Sequence, residues 1–225
     1  MNLSNLLEKE LARWNDIIST RTHEPRAYIH RGMVHFKLAN IDESIADFDI
    51  AEQLDSRLTP YLWQRGLSYY YAEKFADGAK QFEVDLSVNS QDVEETIWRY
   101  LCIARLYGAA KARQSLLSVK NDPRLVMRRV YDLYAGHCST NDVLTVGTNN
   151  DKRAKFYGYL YVGLYFEAEN QTDQARHYMT QALNEYEIDD YMWHVAAIHQ
   201  KLRGWDYTNS KFKIQNSKLR KSDAI

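Results

Sequence analysis

The feature that most constrains this chain is a spacing. Gly32 and Gly66 lie 34 residues apart, Phe48 and Phe82 repeat the interval with Leu116 a further 34 on, and Ser44, Gly78 and Ala112 form a third series. A recurrence of that length marks supersecondary units that cannot bury their apolar faces alone and must stack on one another. The residue types suit paired helices. Two antiparallel helices approach closely only where small side chains sit at their crossing, and a large residue four positions after the second small one fills the space beside it. Prolines stand only at 25, 60 and 123, and apolar residues recur at spacings of three and four, so an all-α chain is expected.

The units can be delimited. The first runs over 25–58 with Tyr28, Gly32, Ser44, Phe48 and Ala51 in the patterned positions. The second, 59–92, has Trp63, Gly66, Tyr69, Gly78 and Phe82, but places Asp85 where a small apolar residue is expected, which puts its packing on the next unit in doubt. A degenerate third, 93–120, predicts helices over 98–106 and 110–119 and puts Tyr100 in the glycine position. An insertion, 121–151, breaks the period with a helix predicted near 123–134, a short helical turn near 142–146 and a loop at 147–150. A last unit, 156–189, contains Tyr159, Gly163, Phe166, Ala175, Met179 and Ala182. Helices predicted over 3–19 and 189–203 read as caps, which a stack of repeats needs at its ends. One helical domain over 1–206 and a basic tail over 207–225 are expected.

This pattern resembles the tetratricopeptide repeat, a helix-turn-helix unit of 34 residues. The resemblance implies a right-handed superhelix of antiparallel helix pairs whose first helices line a concave groove. A narrower likeness lies in the run from Trp63 to Leu67, in Tyr69 and Tyr70, and in Glu94 to Leu101. Together with the order of good, degenerate, irregular and good repeats, these are similar to the NlpI-like repeat lipoproteins of bacteria. That family implies an adaptor, often dimeric, that brings enzymes together. The chain has no signal sequence and no lipid-attachment cysteine near Met1, so the adaptor role carries over and the envelope location does not.

The resemblance puts Ile29, Met33, Phe36, Trp63, Leu67, Tyr70, Ile97 and Leu101 in the groove, with Arg26, Pro60, Glu94 and Ala104 in the same set of positions. Such a groove is apolar and aromatic. Burying one of its rings would contribute roughly 4–6 kcal/mol before ordering losses, at about 25 cal/mol per Å². An outside protein or peptide partner would use that surface, or a second copy in a homodimer, or the insertion or a cap folding back to fill it. Repeats of this type that hold a C-terminal carboxylate use Lys, Asn and Arg at positions occupied here by Ile29, Met33, Gln64, Glu94 and Trp98. Most of these cannot donate to a carboxylate and Glu94 repels one, which disfavours a chaperone-tail receptor.

The net charge of −1 gives the whole chain no pull toward nucleic acid or anionic membrane. From Lys201 onward seven basic residues face two acidic ones. This stretch, read as a solvated terminus, is with Arg124, Arg128 and Arg129 the only basis for a weaker, nucleic-acid reading. No run of about 18 apolar residues suggests a membrane span. Cys102 and Cys138 form no framework for disulfides or zinc, and a cytoplasmic protein is expected. His30 with His35 and His194 with His199 are five apart, the wrong spacing for a chelating pair on a helix. The carboxylates Asp42, Glu43, Glu94 and Glu95 sit at helix starts, where the helix dipole explains them. No catalytic, metal or cofactor residue is assigned. The expectation is a non-catalytic adaptor, with a self-associating structural protein as the alternative.

Overall fold

The computed structural model describes residues 3–146 and 151–205, and those residues form α-helices and one 3-10 turn with no strand. The loop expected at 147–150 and the tail expected at 207–225 lie outside them. In chain order the helices are α1 Leu3–Thr20, α2 Pro25–Lys37, α3 Ile41–Leu54, α4 Trp63–Tyr71, α5 Phe75–Leu86, α6 Val93–Tyr107, α7 Ala109–Gln114, α8 Leu125–Ala135, α9 Thr140–Leu144, α10 Lys152–Ala168, α11 Thr172–Glu185 and α12 Tyr191–Leu202. The 3-10 turn, Ser56–Tyr61, precedes α4.

Helices pair as the spacing predicts: α2 with α3, α4 with α5, α6 with α7 and α10 with α11, and α3 then packs on α4 and α5 on α6. The crossings share one geometry. A Cβ on Gly32 would meet the Ser44 carbonyl oxygen and the Phe48 ring at 3.2 and 3.3 Å. One on Gly66 would meet the Phe82 ring at 2.6 Å, and one on Gly163 would meet the Met179 amide nitrogen and the Ala175 carbonyl oxygen at 3.2 and 3.3 Å. In each pair the glycine faces the residues 12 or 16 positions on, the positions the small and large residues were expected to fill. The turns repeat as well. Ala39, Glu73 and Asn170, each seven residues after its glycine, adopt positive φ of 65°, 59° and 59°. The next amide closes the turn in each case, Asn40 onto His35, Lys74 onto Tyr69 and Gln171 onto Phe166. A non-glycine residue tolerates that conformation only where surrounding contacts over-determine it.

The third pair departs from this. Tyr100 replaces the glycine, Gly108 makes the turn with φ +87°, and α7 ends at Gln114 instead of continuing to 119 as the sequence suggested. Asp85 does not keep the second unit off the next: α5 packs on α6, and Asp85 is buried with one oxygen accepting from Gln81 at 2.7 Å and Oδ2 without a partner. The first helix of the second unit is short because Pro60 lies within the 3-10 turn and α4 begins only at Trp63. In the insertion, α9 is held by a capping box between Ser139 and Asp142.

A second series of contacts runs at the same period. Arg31 donates to Asn15 and Asp47, Arg65 to Asp49 and Gln81, and Arg99 to Glu83 and the Ser115 carbonyl oxygen. These arginines stand 34 residues apart, and each bridges partners 16 residues before and after it. Each thus ties its helix to the second helix of its own unit and to the helix before it. The sequence reading did not single them out, although the interval between them was in plain view.

One large apolar core extends from Phe36 to Ile198, with two smaller clusters where α1 covers α2. The chain closes on itself: α12 returns to α2, and α10 packs on α6 and α8.

Candidate functional site

That closure decides what remains of the groove. Phe36, Leu67, Tyr70, Ile97 and Leu101 are buried, the first, second and fourth with no exposed surface, while Ile29, Met33 and Trp63 keep partial exposure. The covering atoms come from α10 and α12. Tyr191 stacks on Phe36 at 5.7 Å and sets its edge on Trp63 at 5.5 Å. The Tyr70 hydroxyl donates to Glu167 at 3.1 Å, and the Tyr71 hydroxyl lies 3.1 Å from His199 Nδ1. Of the three occupants weighed for an apolar groove, a returning capping helix is the one seen. Five of the eight residues expected in the groove thus belong to the core, where large apolar side chains left in water would forfeit about 1.5–3 kcal/mol each.

What stays open is one end of the former groove, a cavity of about 560 Å³. The 3-10 turn supplies Pro60 and Tyr61, α4 gives Trp63, α5 gives Phe82, and Val88 and Asn89 follow α5. Asp92, Glu94, Glu95 and Trp98 come from the start of α6, and Met192 from α12. Tyr61 and Val88 are exposed at 62% and 52%, whereas Trp98 is 2% exposed. Among the predicted groove residues Trp63 lines this cavity, joined by Pro60 and Glu94 from the wider set.

The acidic side of the cavity has a local cause. Asp92 caps α6 by accepting from the Glu94 and Glu95 amides at 2.7 and 3.2 Å, which fixes both glutamates in the first turn. Arg124, from the insertion, donates to Glu94 at 2.9 Å and to Asp122 at 2.7 Å, and approaches Asp92 at 3.6 Å. Arg124 is therefore committed inside the molecule and does not extend a basic patch, and Arg129 pairs with Asp132 at 3.1 Å. Arg203, counted with the basic terminus, is likewise held within the fold by Glu167.

Burial pushes the Glu94 carboxyl up to about 7 against the pull of Arg124, and Asp92 adds to the rise. Burial pushes Glu95 up to about 8, with Asp92 and Asp85 raising it further, while a hydrogen bond from Asn89 favours the ionised form. Among the described residues no cation pairs with Glu95, and its buried Oε2 has no hydrogen-bond partner. The Trp98 indole N–H, on the same helix, also has none. Among the described residues no Lys, Arg or His lines the cavity.

Two histidines and one thiol are part of the packing. His199 is buried, its pKa pushed down to about 4 by burial, and His194 is lowered in the same way to about 4. Cys102 is a buried free thiol packed against Gly78, and Cys138 is a free, partly exposed one.

No protein-family model matches the sequence, and no curated protein matches it. Among the described residues no helix is long and apolar enough to cross a membrane. What the cavity's function can be argued from is its own walls.

Proposed function

We propose that this chain is a non-catalytic adaptor of the tetratricopeptide type that docks a protein partner at the open end of its otherwise filled groove. The repeat assignment is supported by three helix pairs that share one glycine crossing and one positive-φ turn, at offsets set by a 34-residue period. The docking role is carried by one observation: a 560 Å³ cavity walled by Trp63 and Trp98, with Tyr61 and Val88 exposed on its rim. Buried aromatic pockets under an apolar rim are where binding energy concentrates at protein interfaces.

The test uses rim positions whose change leaves the core intact. Tyr61→Glu and Val88→Glu together should abolish co-purification of the partners retained by the wild-type chain, with the helical circular-dichroism signal and melting temperature unchanged. An unchanged set of bound proteins would refute docking at this cavity.

A further inference from the structure

The rim and the aromatic walls say that something docks; the polar atoms beneath say what chemistry it brings. Three carboxylates, Asp92, Glu94 and Glu95, line the cavity, and among the described residues no basic side chain lines it with them. Two of them are already served, Glu94 by Arg124 and the Tyr161 hydroxyl, and Asp92 by Arg124 and the α6 amides. Glu95 is not. Its Oε2 is a buried acceptor without a donor, and the Trp98 indole N–H is a buried donor without an acceptor. Native proteins leave few such atoms unpaired, because each forfeits its hydration without replacement. Both side chains line the cavity while the two atoms are closed to water, so a guest that turns them toward itself completes the pair with one group that donates and another that accepts.

We propose, building on the docking role above, that this cavity receives an arginine side chain of an extended segment of the partner, with the guanidinium on Glu95 and a main-chain carbonyl of that segment accepting from Trp98. Charge selects a cation, since a cation offsets the cost of ionising Glu95 inside the cavity, whereas an anionic group finds no basic partner among the described lining residues. The walls select among cations. A guanidinium is planar and weakly hydrated, so it lies against the faces of Trp63 and Tyr61 while donating to a carboxylate, whereas an ammonium holds its water more strongly. The volume also exceeds what a lone ion needs and falls in the range of sites that enclose a small organic group.

The full chain, labelled with ¹⁵N, is titrated with N-acetylarginine N-methylamide and, separately, with its neutral isostere N-acetylcitrulline N-methylamide, following the tryptophan indole N–H resonances. The arginine compound should shift the Trp98 resonance and bind in the millimolar range, roughly tenfold or more tighter than the citrulline compound. Glu95→Gln should bring the two affinities together, while Trp98→Phe should weaken both and keep their ratio. Equal affinities in the wild type would overturn the cation assignment and leave docking of a neutral segment standing. A Trp98 resonance unmoved by either compound would overturn the site chemistry altogether; the rim variants above judge the docking role independently.

Discussion

Arg31, Arg65 and Arg99 each bridge partners 16 residues to either side, whereas Tyr70 and Tyr71 find theirs 97 and 128 residues away, on Glu167 and His199. The first set of contacts stitches neighbouring helices together and recurs because the unit recurs. The second closes the chain over its own groove, and each contact in it is made once. The difference teaches that the periodic part of this molecule builds a frame, and the aperiodic part determines which surface of that frame is left for a partner. Both sets use arginines on acids, and within the frame the surroundings vary: Arg31 meets a buried Asp47, whereas Arg99 at the edge meets a half-exposed Glu83, while Glu167 at the closure is nearly enclosed by Arg203, Arg105, His199 and Tyr70.

The closure makes its largest prediction at Leu67. In an open groove Leu67→Glu would block a partner and spare the fold. In this molecule Leu67 has no exposed surface, so the carboxylate must be buried or the core opened, and the cost should exceed about 4 kcal/mol. Urea denaturation monitored by circular dichroism measures it. A variant within about 1 kcal/mol of wild type would mean that α12 does not cover this face.

Why the sequence conveyed the frame and not the closure follows from these distances. Gly32, Gly66 and Gly163 announce helix crossings because a Cβ there would press on the facing helix at 2.6–3.3 Å, and Phe48, Phe82 and Met179 announce what fills the space, all within one unit. The arginine series obeys the same interval and was equally legible. Nothing local in Tyr191 or His199 says that they will meet Phe36 and Tyr71, since such pairings depend on how far the stack curves before the last helix arrives. Leu67 and Ile97 therefore carried the pattern of a groove position while their burial was decided some hundred residues later. Trp63 keeps partial exposure for a different reason: it stands at the groove's end, which α12 only partly covers through Tyr191 and Met192.

Severing one contact of each kind sharpens the comparison. Glu167→Ala leaves Arg203 facing buried surroundings without its acid and removes the acceptor of Tyr70, so a loss of about 3–5 kcal/mol is expected. Arg99→Ala frees a glutamate that water already reaches and strands one carbonyl, for a loss of about 1 kcal/mol. Thermal melts of the two variants decide between them. Equal losses would show that the long-range closure is no more desolvated than the edge of the frame.

The smallest effect is one of pH and arises where frame and closure meet, at the cavity. Burial raises the carboxyls of Asp85, Glu94 and Glu95 to about 7, 7 and 8. The folded chain thus keeps protons that the unfolded chain releases near pH 4, and the stability this confers is present in acid and lost as pH rises through 7 to 8. The buried His194 and His199 act in the opposite sense, with pKa values lowered to about 4: their contribution is present above the unfolded value of 6.5 and lost as pH falls through 4. The two groups oppose each other between about pH 4.5 and 6.5, and only the carboxyls act above that range. The melting temperature should therefore hold near pH 6 and fall by a few degrees toward pH 8.5. Glu95→Gln removes the carboxyl with the highest pKa, so its melting temperature should decline less over the same interval. Parallel declines in variant and wild type would show that Glu95 is already ionised at neutral pH, and that the cavity holds its negative charge without a guest.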